Sequence, residues 1–279
     1  RELSLKLPVD SNVQIAIRFI EQSALYYTQV RGLGTLKLNS IKEYVDKYVS
    51  EFYLVDTYYR LTLEAYHELI AKECPIEQTL TSAKRQLDLE YAKICNILNI
   101  EWLVCVKEKG NWFTETGLKR QEDFYAHESD SSVKQVVIVS DALRYEVAME
   151  LMQKLAKEKH IATIGAYQAM LPTETKYCKL ALLPHHSLEL NGTDMMVDGS
   201  VLTTTEQRTA HLCKYREGAI CIRYEDVMNG DSQAMRELFK RPLVYIFHDT
   251  IDNAGHSQSP FDVINASRKA IEQLAVLVK

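Results

Sequence analysis

Long apolar runs, a basic surplus, paired cysteines and nucleotide-binding loops are all missing from this 279-residue chain, and each absence closes off a class of protein. No stretch approaches the roughly 18 consecutive apolar residues of a membrane-spanning helix. The opening segment, RELSLKLPVD, has neither an initiator Met nor the apolar core of a secretory leader. The expectation is a piece of a longer, soluble, cytoplasmic protein with no membrane contact. Lys and Arg number 33 against 38 Asp and Glu, a net charge of −5. Neutralising a nucleic-acid backbone takes a basic excess, so direct nucleic-acid binding is not expected of this chain. The six cysteines (Cys74, Cys95, Cys105, Cys178, Cys213, Cys221) include no CxxC pair, which fits reduced thiols better than a disulfide framework. The glycines form neither a GxGxxG nor a Walker loop, and no GxSxG marks a serine nucleophile elbow.

What is present reads in two grammars. In the first, Ile41, Tyr44, Val45, Tyr48, Val49, Phe52, Val55 and Tyr59 recur at three- and four-residue steps, one face of a long amphipathic helix with Asn39 and Ser40 as caps. Val13, Ile17, Ile20, Ala24 and Tyr27 repeat the pattern upstream, closed by Gly32 and Gly34. Downstream, Pro75 suits a first turn, followed by Leu80, Ala83, Leu87, Tyr91, Ile94 and Leu98. With no Lys/Arg run between them, these aromatics read as helix-packing core rather than a base-stacking surface. The polar stretch 110–132 breaks the periodicity. It divides a helical region, 1–130, from a second region, 131–279.

In the second region Val136-Val137-Ile138-Val139 is a short apolar run suited to a strand buried on both faces. Further strands are expected over 161–169, 219–224 and 243–247. Helices are expected over 143–157, 175–183, 206–215, 233–239 and 261–278, with a loop around Gly192 and Gly199. Strands alternating with helices predict an α/β fold, a mostly parallel sheet covered by helices on both faces. Ligands in such sheets bind beyond the carboxyl ends of the strands.

Three groups sit at those ends. Asp141 follows the first strand and suits either a metal ion or a helix N-cap. Arg144, three residues on, can reach a phosphate or pair with Glu146. Thr173 and Thr175 precede a helix, where backbone N–H groups favour an anion and a dication could lower the pKa of a hydroxyl. The last strand runs into His248-Asp249-Thr250-Ile251-Asp252-Asn253-Ala254-Gly255-His256, the densest cluster of the chain. Asp252 and His256 are four residues apart, so one short turn can offer both to one ion. Carboxylate with imidazole suits Zn²⁺ or Mn²⁺ better than Ca²⁺.

In this order VVIVSDALRYEVA, LPTETKYCKLALLPH and VYIFHDTIDNAGH resemble the PglZ-domain proteins, a family of the alkaline phosphatase superfamily that works in BREX-type phage defence in bacteria and archaea. The resemblance covers about residues 120–279, with a fainter likeness at Asp56–Arg60. It implies an alkaline-phosphatase-like fold and two divalent metals, Zn²⁺ foremost with Mn²⁺ or Mg²⁺ as alternatives. Asp141 would hold one metal, and Asp252 and His256 the other. Thr175 would lie between them as ligand and nucleophile. Arg144, Thr173, His248 and Asp249 would bind phosphate or support the ligands. Other defence-system proteins are the implied partners, and a phosphate-containing compound the implied substrate. Two departures stand out. Tyr177, Cys178 and Lys179 replace the family's frequent Gly-Met, and no Asp-His-Gly motif follows the last strand. The chain stops at Leu277-Val278-Lys279, about where the strand leading to that motif should begin. The expected outcome is therefore a C-terminally incomplete fold with half a site and little hydrolysis by this polypeptide alone. The alternatives are a non-catalytic assembly module with a structural or vestigial metal site, and a DNA-directed phosphodiesterase.

Overall fold

A computed structural model describes residues 11–72, 77–109, 112–256 and 259–279. The first elements are α1 (Asn12–Gly32), α2 (Ile41–Lys47), α3 (Tyr53–Ala71), α4 (Glu77–Glu108), β1 (Lys119–Arg120) and α5 (Phe124–Glu128). Then come β2 (Gln135–Ser140), α6 (Tyr145–Lys157), β3 (Tyr167–Gln168), α7 (Thr175–Ala181), β4 (Leu188–Asn191), β5 (Asp194–Val197) and β6 (Ser200–Val201). The chain continues through α8 (Thr205–Tyr215), β7 (Ile220–Arg223), α9 (Tyr224–Asn229) and α10 (Ser232–Leu238). It ends with β8 (Leu243–His248), α11 (Thr250–Gly255) and α12 (Pro260–Val278). A helical region followed by a parallel sheet with helices is the architecture expected. Among the described residues no helix is long and apolar enough to cross a membrane.

The chain forms two compact units, each assembled from separated segments. One takes the residues up to Gly117, Arg144–Ile164 and the C-terminal segment, so α6 and α12 pack with α3. Ser40 caps α2 by accepting from the Glu43 amide at 3.1 Å, and Ser11 caps α1. The helix expected to begin at Ile41 is interrupted by a π-helical turn, Tyr48–Phe52, and runs on to Ala71. Pro75 lies outside the described residues. The aromatic stripe is core: Tyr59 stacks on Tyr91 with centroids 3.8 Å apart, and Tyr44 meets Trp102 edge-on.

The Asp56–Arg60 segment organises this unit. Asp56 accepts hydrogen bonds from Tyr48 and Tyr91, both at 2.8 Å. Arg60, 2% exposed, donates through Nε to the buried Glu146 of α6 at 2.9 Å and through Nη2 to Glu150. Glu64, one turn on, is held by Arg268 of α12 at 3.1 Å. Burial opposes the Arg60 charge, but Glu146 and Glu150 outweigh it and push the guanidinium pKa up.

The second unit comprises Leu118–Leu143 and Gly165–His256. Its parallel sheet has the order β2-β8-β7, with Ser140 opposite His248 and Ile222 opposite Ile246. The central strand β8 is buried at every position, as a strand covered on both faces must be. Its Tyr245 and Phe247 pack with Tyr177, Leu180, Leu183, Leu212 and Cys221. A capping box at Thr204 and Gln207 starts α8.

Two expectations are corrected here. The strand expected over 161–169 shrinks to Tyr167–Gln168, which among the described residues pairs with β1 alone, and Ile161 is fully exposed. Apolar alternation makes a strand only where a neighbour takes its backbone groups, and here that partner is two residues long. The segment around Gly192 and Gly199 is an antiparallel meander, β4-β5-β6. Asp198 and Gly199 link β5 to β6 with φ of 49° and 73°, the left-handed pair that a tight hairpin turn requires.

Candidate active site

The pairing of β2 with β8 sets two carboxylates side by side. Both strands end at the same level, so Asp141 and Asp249, the next residue of each, emerge at the carboxyl edge of the sheet. The ladder carries on one step beyond, with the Asp141 amide donating to the His248 carbonyl at 2.9 Å. Asp141 does not cap a helix: α6 begins four residues later, and its Oδ1 accepts from the adjacent Ala142 amide. Ala142 holds φ at 59°, a conformation that costs an L residue about 1–2 kcal/mol.

The cation between these carboxylates is Lys179. Its Nζ lies 3.1 Å from Asp141 Oδ2 and 2.6 Å from Asp249 Oδ1, with side-chain exposure of 11%. Asp141 Oδ2 is buried and accepts no well-formed hydrogen bond, so the lysine meets it as a charge rather than as an aligned donor. Lys179 projects from α7, which is fixed independently by Tyr177, Leu180 and Ala181 in the core. Burial raises the neighbouring Cys178 thiol, with Asp141 adding to the effect.

Thr175 opens α7 and is exposed, one helical turn before Lys179 and therefore on the same face. Neither Thr175 nor Thr173 caps the helix; Glu174 occupies the cap position without a side-chain bond. Asp252 of α11 and His256, the residue that caps its C-terminus, come within reach of each other, with Oδ2 and Nε2 3.6 Å apart and His256 79% exposed. His248 is fully buried, its Nδ1 2.9 Å from Ser140 Oγ and its ring edge-on to Tyr224. Arg144 pairs with Glu146 at 2.6 Å in the helical unit, the second of its two sequence-based readings. Lys179 was legible only as a departure from a family pattern. The missed signal was its four-residue spacing from Thr175.

A family model for the BREX system PglZ alkaline phosphatase-like domain matches residues 123–279, more than half of the chain. The chain belongs to the PglZ family. The alkaline phosphatase-like protein PglZ of Bacillus cereus (strain H3081.97) is 29% identical over 241 residues, covering 83% of this chain and 28% of that relative. The alkaline phosphatase-like protein BrxZ of Escherichia coli O9:H4 (strain HS) is 34% identical over 174 residues, covering 58% of this chain and 20% of that protein. This PglZ-family chain thus spans less than a third of either relative's length. No solved structure matches it.

The divalent metals that this family implies need three or more converging donors apiece. Among the described residues no three His, Cys, Asp or Glu side chains come together in that way. Asp141 and Asp249 have the right chemistry, but a lysine ammonium lies between them, and Asp252 with His256 makes a separate pair of two. As arranged, these residues do not fit a metal ion.

Proposed function

We propose that the protein containing this chain hydrolyses a phosphate ester or phosphodiester in the cytoplasm, as part of BREX-type defence and alongside other proteins of that system. Thr175 is the attacking hydroxyl in this reading. Its oxygen bonds to phosphorus as the ester oxygen leaves and takes up a proton; water then cleaves the phosphothreonine and restores the hydroxyl. One observation carries the reading. Lys179, anchored on both strand-end carboxylates, lies one turn after Thr175, so the first turn of α7 is tied to the edge of the sheet where α/β folds bind ligands. In the full-length protein, Thr175→Ala should lower the turnover of p-nitrophenyl phosphate or its diester by at least about 10³-fold and abolish phage resistance, with Thr175→Ser recovering part of both. Unchanged turnover and resistance in Thr175→Ala would remove the nucleophile from the account.

A second reading, a non-catalytic assembly module, is favoured by α4, which exposes Ile100, Leu103 and Val104 at helical spacing. It calls for the opposite pattern: phage resistance that survives Thr175→Ala and is lost in Leu103→Asp.

A further inference from the structure

The two-residue strand β1 runs beside β3 in parallel register, Lys119 opposite Tyr167 and Arg120 opposite Gln168. Where that short ladder stops, a side chain takes over from the backbone. Gln121, the next residue after β1, accepts through Oε1 from the Met170 amide at 3.1 Å. Its Nε2 donates to the Cys178 carbonyl, also at 3.1 Å. That carbonyl belongs to the last turn of α7, where helix carbonyls lose their partners. The Leu182 amide, which a continuing helix would give to Cys178, donates to Leu180 instead. One side-chain amide therefore meets both ends of the segment 170–178, and all of these residues lie in the same compact unit. Between the two ends residues 171–176, Thr173 and Thr175 among them, are all exposed, so burial does not fix them. The Cys178 thiol lies 3.7 Å from the Met170 carbonyl and 3.8 Å from that of Pro172, an approach that depends on the two ends staying together.

We infer that Gln121 is a positioning residue for Thr175: by holding Met170 and Cys178 with one amide group it fixes the start of α7, and with it the place of the Thr175 hydroxyl. Lys179 ties α7 to the ends of β2 and β8, and Gln121 ties it to the end of β1. A primary amide suits this task because it offers an acceptor and a donor at once, without charge. Glutamate in its place keeps the acceptor but sets a negative oxygen against the Cys178 carbonyl. Leucine supplies neither bond. Gln121 touches no reacting atom, so it acts on the geometry of attack, where a displacement of about 1 Å costs on the order of 10²-fold in rate. The inference rests on the reading of Thr175 as the attacking hydroxyl, whereas the hold on the segment does not.

The test compares the full-length wild type with Gln121→Leu, Gln121→Glu and Thr175→Ala. Two quantities are read: turnover of p-nitrophenyl phosphate, and the rate of iodoacetamide alkylation at each cysteine by peptide mass spectrometry. Gln121→Leu should lower kcat by about 10²-fold and leave KM within about twofold of the wild type. Gln121→Glu should regain turnover relative to the wild type as pH falls from about 7 towards about 4, where its carboxyl takes up a proton and donates as the amide does. Cys178 should be alkylated about tenfold faster in Gln121→Leu, the change in local opening expected when two hydrogen bonds are lost. Cys221, buried in the core of the same unit, should keep its wild-type rate. If Thr175→Ala keeps its turnover while Cys178 still speeds up in Gln121→Leu, the nucleophile reading is what has failed, and the positioning role falls with it. Wild-type kcat and a wild-type Cys178 rate in Gln121→Leu would overturn the inference itself. So would Cys178 and Cys221 speeding up together, since the glutamine would then hold the whole unit rather than the segment that carries Thr175.

Discussion

Arg60 holds three carboxylates, Glu64, Glu146 and Glu150, and Lys179 holds two, yet the two cations differ in more than number. Arg60 and Glu146 are 2% and 1% exposed, and the arginine fork reaches Glu146 and Glu150 in the helical unit. Lys179 sits at an edge where Asp141 is 19% exposed and Asp249 more so, with the exposed Thr175 one turn away. A buried, forked cation fixes geometry, because releasing it strands a charge in low dielectric. A lysine at a half-open edge is a flexible point charge whose carboxylate partners keep contact with solvent. The first arrangement belongs to a scaffold and the second to a site.

The largest expected effect lies on the scaffold side. Arg60→Ala leaves the buried Glu146 with only the half-exposed Arg144 as a cationic partner and should cost about 3 kcal/mol, measured by urea unfolding. Arg60→Lys keeps the charge but loses the fork, so most of the loss should persist. A cost below about 1 kcal/mol would erase the distinction between the two cations.

A smaller effect comes from Asp198, a carboxylate that pairs with no Lys or Arg among the described residues. Burial would raise Asp198, but hydrogen bonds from Tyr215 and from the Ser187 and His186 amides outweigh it and hold the carboxyl at about 2, below the ordinary 3.8. Its stabilising contribution is therefore complete above about pH 4 and is lost as pH falls through about 2. Asp198→Asn should flatten the stability profile over that window and leave the profile above it parallel to wild type. An unchanged acid limb would mean that the meander does not depend on this turn.

The sequence exposed the apolar strands, the helical first region and the Asp252–His256 pair, because each rests on local spacing. The α/β order also followed from pattern alone. What could not be read was long-range. Nothing local says that β8 lies between β2 and β7, and that insertion is what makes neighbours of Asp141 and Asp249. Nor does periodicity reveal that α6, which follows β2, folds with α3 through Arg60 and Glu146. The strand expected over 161–169 failed for a related reason: side-chain alternation carries no information about who pairs with the backbone. Arg144 illustrates the same limit, since an arginine near a strand end suits a phosphate or an ion pair equally until Glu146 is placed beside it.

The distinction between the two cations is tested most directly by measuring p-nitrophenyl phosphate turnover and urea unfolding of the full-length protein for Lys179→Met beside Arg60→Ala. If Lys179 belongs to the site, Lys179→Met loses turnover by at least about tenfold while costing less stability than Arg60→Ala. Unchanged turnover in Lys179→Met, with a stability cost as large as that of Arg60→Ala, would contradict the account and make Lys179 a second scaffold cation.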